Sequence, residues 1–182
     1  MKRHIFCLEG EWVKNPGYKT SVSKALEFFE EIYKIKTHIR DCSTLAELES
    51  RMKEYSRKSF HEYEICYLAF HGFKGKIQLK NRSLVSVPDL AEIIGPTLEN
   101  KIIHFGCCKT MADTKNAIEF KNATQALAVC GYTLEVDFIE STLFDILLFQ
   151  MMQKYKTPEA IKNKMDKYYE GMVNKLGFVM FY

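Results

Sequence analysis

Ile65-Cys66-Tyr67-Leu68-Ala69-Phe70 is continuously apolar and leads straight into His71-Gly72. Six residues are too few for a helix, and the run does not alternate with polar residues. It therefore predicts a strand covered on both faces, the pattern of a central strand in a parallel sheet. Ile102 to Phe105 repeats the pattern and ends in Gly106-Cys107-Cys108, and Ala126 to Val129 gives a third such run. Ile5 to Leu8, closed by Gly10, predicts a buried strand earlier in the chain. Lys36 to Ile39 is a less apolar candidate, and Phe178 to Tyr182 predicts a last strand. Between them, Val22, Ala25, Leu26, Phe29, Ile32 and Tyr33 recur at helical spacing. Thr44 with Glu47 forms a capping box for a helix that buries Leu45, Leu48, Met52 and Tyr55. Ser86, Pro88 and Asp89 start a short helix that Gly95-Pro96 stops. Phe138 to Gln150 predicts another, and Thr157-Pro158 starts one that runs to about Lys175, with Gly177 ending it. Lys76–Leu79 and Leu84–Val87 flank Asn81-Arg82 as a small hairpin after the third strand. This alternation predicts an α/β three-layer αβα sandwich with a mainly parallel sheet. At 182 residues, the whole of 1–182 reads as a single domain.

Composition narrows the function. The 26 Lys and Arg against 23 Asp and Glu leave a formal charge of only +3, so no nucleic-acid footprint is expected. The Lys-rich stretch from Lys154 to Lys175 is broken by Glu159, Asp166 and Glu170. The most apolar segment, Phe138 to Met152, carries Glu140 and Asp145 and is too short to span a bilayer, so no membrane partner is expected. The apolar stretch within residues 1–10 is also too short for a signal peptide. Cys7, Cys42, Cys66, Cys107, Cys108 and Cys130 show no disulfide-framework spacing, which points to a reducing cytoplasm. Neither G-x-G-x-x-G nor a Walker A sequence occurs, which counts against a nucleotide or signalling-ligand binder.

In an open parallel sheet, reacting groups gather at the carboxyl ends of the strands. Right-handed crossovers put the ends of the His71 and Cys108 strands on one edge of the sheet as neighbours. A thiol then faces an imidazole, which is the pair that nucleophilic cysteine chemistry requires. Cys107, one residue earlier, points to the opposite side. His104, inside its strand, reads as a hydrogen-bonded core histidine. His104, Cys107 and Cys108 make a poor zinc set, because strand spacing separates the first and last by about 13 Å.

From these residues outward, the chain resembles the caspase-like cysteine peptidases of clan CD, most closely the CHAT and bacterial caspase-homologue branch. The matching features are the strand ending in His71-Gly72, the hairpin around Gly75-Lys76-Ile77-Gln78-Leu79, and the helix opening at Pro88-Asp89-Leu90-Ala91. Ile102-Ile103-His104-Phe105-Gly106-Cys107-Cys108-Lys109-Thr110 follows, with Cys108 in the nucleophile position. Ala126 to Tyr132, with Val136-Asp137, resembles the family's later strand and loop.

The resemblance implies a cysteine endopeptidase with a Cys108–His71 dyad and the Gly72 and Cys108 N–H groups as oxyanion donors. It implies no metal or cofactor. The substrate would be a protein or peptide, and an activating protein or small signalling molecule would switch the enzyme on, as for effectors of bacterial antiviral defence or cell death. Gly106, two residues before the nucleophile, offers no specificity side chain. Glu9, Glu135 and Asp137 stand at other expected pocket edges and imply a basic residue before the cleaved bond. Two of them have a plainer reading: Glu9 pairing with Trp12, and Asp137 capping the next helix. The rivals are an inactive caspase homologue serving as a binding or scaffold module, a signalling-ligand binder, and a thiol acyltransferase.

Overall fold

The apolar runs become strands whose neighbours are set by their crossovers. In the computed structural model, which describes residues 2–12 and 20–182, β1 (Ile5–Glu9), β2 (Thr37–Asp41), β3 (Ile65–Ala69), β7 (Ile102–Phe105), β8 (Ala128–Tyr132) and β9 (Phe178–Phe181) form one sheet. Its order is β2-β1-β3-β7-β8-β9. All pairings are parallel except β8 with β9, which is antiparallel. The remaining short strands, β4 (His71–Phe73), β5 (Lys76–Gln78) and β6 (Leu84–Ser86), make a separate antiparallel sheet directly after β3.

Alternation along the strands divides the core in two. Phe6, Leu8, Cys66, Leu68, Ile103 and Phe105 face one side. There they meet α2 (Leu45–Tyr55), α3 (Val87–Ile94) and α4 (Thr114–Thr124), together with Ile77, Leu79 and Val85 of the small sheet. Ile5, Cys7, Ile65, Tyr67 and Cys130 face α1 (Ser23–Tyr33), α5 (Phe138–Lys154) and α6 (Pro158–Leu176). This is the three-layer αβα sandwich. No helix among the described residues is long and apolar enough to cross a membrane.

The helix boundaries follow local chemistry. The Thr44 hydroxyl accepts from Glu47 N while the Glu47 carboxylate accepts from Thr44 N, closing the capping box and stabilising α2 by about 1 kcal/mol. Gly177 ends α6 at φ +62°, where a side chain would be strained and would also strike Thr133 and Leu134. Leu45, read from its spacing as buried under α2, is instead 43% exposed, because it opens the first turn, beyond the reach of the core. Cys7, Cys42, Cys66 and Cys130 are all buried free thiols.

Candidate functional site

Beyond the last paired residues of β3 and β7, Leu68 and Phe105, the two chains run on side by side. Gly106 N and Cys107 Sγ both donate to Leu68 O at 3.0 Å. Three residues past Leu68 is His71, and three past Phe105 is Cys108, so both follow the carboxyl ends of neighbouring strands. Gly72 brings the backbones into contact. A Cβ there would lie 2.7 Å from Cys108 N, 2.6 Å from Thr110 Oγ1 and closer still to Cys108 O. Only glycine fits between the histidine and the cysteine's peptide group. Thr110 Oγ1 donates towards Lys76 O and Cys108 O, joining this turn to β5.

Cys107 and Cys108 part company as strand alternation requires. Cys107 is fully buried in the α2–α4 side of the core, and that burial pushes its thiol pKa up. Cys108 is half-buried, and its Sγ donates to Val136 O at 3.5 Å in the loop before α5. The same loop receives Lys109, whose N–H donates to Leu134 O and whose ammonium pairs with Glu135.

His71 is exposed. Its Nε2 lies 3.0 Å from Trp12 O, and since a carbonyl only accepts, Nε2 carries the proton there. Nδ1 is then the nitrogen that can exchange a proton. The Trp12 ring stands edge-on to the imidazole at 5.4 Å and to Phe138 at 5.0 Å. Its indole N–H donates to Glu9 Oε1 at 2.6 Å, which fixes the ring.

The three acidic candidates are spread around this centre in different states. Glu9 is buried at the end of β1 and accepts from Trp12 Nε1, Val22 N and Ser21 Oγ, so its carboxylate ties the loop to the start of α1. Asp137 is exposed, and its Oδ1 accepts from Ile139 N and Glu140 N as the cap of α5. Glu135 is fully exposed, and hydrogen bonding to Lys109 lowers its pKa. Gly106 has a packing reason to be glycine, because a Cβ would strike the Tyr67 ring at 2.5 Å.

His104 is the core histidine its strand position predicts. Its partner was not predicted: Asp145 of α5, whose Oδ1 lies 2.5 Å from His104 Nε2. Tyr67 OH donates to Asp145 Oδ2 at 2.5 Å, and Tyr132 OH donates to Oδ1. Burial opposes charge on His104, but Asp145, with Cys130, overrides it and raises the pKa to about 10. The one sequence signal for this network is a carboxylate set among the apolar residues in the middle of α5. Cys107 lies across the sheet from it, so His104, Cys107 and Cys108 do not converge.

A family model matches residues 2–182. The chain belongs to DUF6642, a family of unknown function. No curated protein matches it. This DUF6642 chain places at one edge of its sheet a half-buried thiol bonded to Val136 O, an exposed imidazole held by the Trp12 carbonyl, and a glycine packed on the cysteine's peptide group.

Proposed function

We propose that this DUF6642 chain is a cysteine endopeptidase of caspase-like type, with Cys108 as nucleophile and His71 as its acid and base. The observation that carries the reading is the contact of Gly72 with the Cys108 peptide, at the carboxyl ends of adjacent parallel strands. Cys108 gives its proton to His71 Nδ1 and the thiolate adds to a peptide carbonyl. The C–S bond forms, His71 returns the proton to the departing amine, and the C–N bond breaks. Water then adds to the thioester with His71 as base, releasing the acid and restoring the thiol. The Gly72 and Cys108 N–H groups supply the oxyanion donors.

The resting hydrogen bond from Cys108 Sγ to Val136 O supports an enzyme that must be switched on. The 133–137 loop has to release the thiol before it can pair with His71, which suits an effector awaiting a partner protein or small signalling molecule.

The test is cleavage of a mixed peptide library by wild type and by Cys108→Ala, Cys107→Ala and His71→Ala, with and without lysate of the source cells. Cleavage lost with Cys108→Ala and His71→Ala but kept with Cys107→Ala is the expected result. Cleavage that survives Cys108→Ala overturns the assignment.

A further inference from the structure

A cleft of about 230 Å³ opens on the outer side of His71, walled by Glu11 and Trp12 after β1 and by Gln78, Lys80 and Arg82 of the small sheet. His71 lines it and Cys108 does not. Resting on the peptidase reading above, we propose that this cleft is the leaving-group subsite and selects peptides with a carboxylate side chain just beyond the cleaved bond.

The direction follows from the proton's path. The attacked carbonyl sits over Cys108, and the departing amine must lie within reach of His71 to take its proton. The substrate chain beyond that amine continues past His71, and the space there is this cleft. Its far wall is cationic. Lys80 and Arg82 are exposed, and among the described residues neither pairs with a carboxylate. The turn carrying them is held in place: Arg82 N donates to Leu79 O at 2.8 Å, and Asn81 N donates to Ser43 O at 3.0 Å beyond β2. A guanidinium set on a fixed turn suits a carboxylate, which it can grip through two parallel N–H bonds. Glu11, on the opposite wall, is a single anion against two cations, so the hairpin wall sets the preference. The Trp12 face packs the aliphatic part of the side chain, and half-buried Gln78 is placed to hydrogen-bond the peptide backbone.

The test uses internally quenched peptide pools, randomised in the first four places, with Glu-Glu, Ala-Ala or Lys-Lys fixed in the last two. Wild type and Arg82→Ala are compared under the conditions that give cleavage. Binding of the same pools, fluorescein-labelled, to Cys108→Ala and to Cys108→Ala/Arg82→Ala is followed by anisotropy. The expected result is a kcat/KM for the Glu-Glu pool about two- to fivefold above the Ala-Ala pool, the gain of an exposed ion pair. That ratio falls towards one in Arg82→Ala and at high salt. Arg82-dependent binding of the Glu-Glu pool, with no cleavage by wild type even in source-cell lysate, keeps the cleft as a carboxylate site but overturns its leaving-group role together with the peptidase reading. Cleavage with no preference, or with the Lys-Lys pool favoured, overturns the subsite and leaves the peptidase reading standing. Neither cleavage nor Arg82-dependent binding overturns both.

Discussion

Two histidines on neighbouring strands have opposite environments. His104, in β7, is fully buried, with Asp145 Oδ1 at 2.5 Å from one ring nitrogen and Cys130 Sγ at 3.4 Å from the other. On paper this is a complete Cys–His–Asp chain. His71, just past β3, has no carboxylate partner among the described residues; one nitrogen meets a backbone carbonyl and the residue is exposed. The two sets differ first in access. No peptide carbonyl can reach Cys130, which is 0% exposed, whereas Cys108 lies half-open at the strand ends, where substrate can approach. The sealed set braces the sheet against α5, and the chemistry we propose is assigned to the open pair.

The largest expected difference lies in turnover. Cys108→Ala should lower peptide hydrolysis by at least about 10³-fold, as loss of a covalent nucleophile does. Cys130→Ala should leave hydrolysis intact and cost about 1–2 kcal/mol of stability, the price of a small buried side chain in a packed core. Steady-state kinetics with urea unfolding separate the two, and a loss of turnover in Cys130→Ala that exceeds its loss of fold breaks the comparison.

Next comes Asp145→Ala. It leaves the His104 imidazolium and two tyrosine hydroxyls buried without their acceptor, and should cost about 3–5 kcal/mol in urea unfolding. The pH dependence sharpens this. His104 has its pKa raised from 6.5 to about 10, so its charged pairing stabilises the fold fully below about pH 6.5 and is lost as pH rises towards about 10. Unfolding free energy should therefore fall across that window in wild type and fall less in Asp145→Asn. Equal slopes would show that the pair is not ionised.

A smaller contrast concerns two glycines. Gly72→Ala forces a methyl group into the Cys108 peptide and should destabilise by about 1–3 kcal/mol. Gly171→Ala, in α6 with open space around it, should stabilise by about 0.5–1 kcal/mol. Thermal unfolding of both reads the sign directly, and a stable Gly72→Ala protein would mean the two backbones stand apart.

Much of this was legible in the sequence because it is local. Continuous apolar runs marked β1, β3 and β7, overlapped β8 only at Ala128 and Val129, and put His71 and Cys108 just past the ends of neighbouring strands. The Thr44–Glu47 box and Gly177 marked helix ends through side-chain and φ chemistry confined to a few residues. What stayed hidden depends mostly on long-range partners, although α4, capped locally by Asp113 and weakly amphipathic, also went unread. Asp145 and His104 are 41 positions apart, and periodicity cannot pair them. The Trp12 carbonyl that orients His71 is a backbone atom with no residue signature. β4 was also missed: its three residues are exposed or half-buried and leave no apolar run.

The central claim, that His71 acts on Cys108, is tested most directly by iodoacetamide labelling of the native protein, with each cysteine followed by mass spectrometry. The account predicts that Cys108 labels well ahead of the five buried thiols and, once source-cell lysate has switched the protein on, faster than a free cysteine peptide. That excess should disappear in His71→Ala while the unfolding midpoint stays unchanged. Labelling of Cys108 at the rate of the free peptide, with no response to His71→Ala, would contradict it.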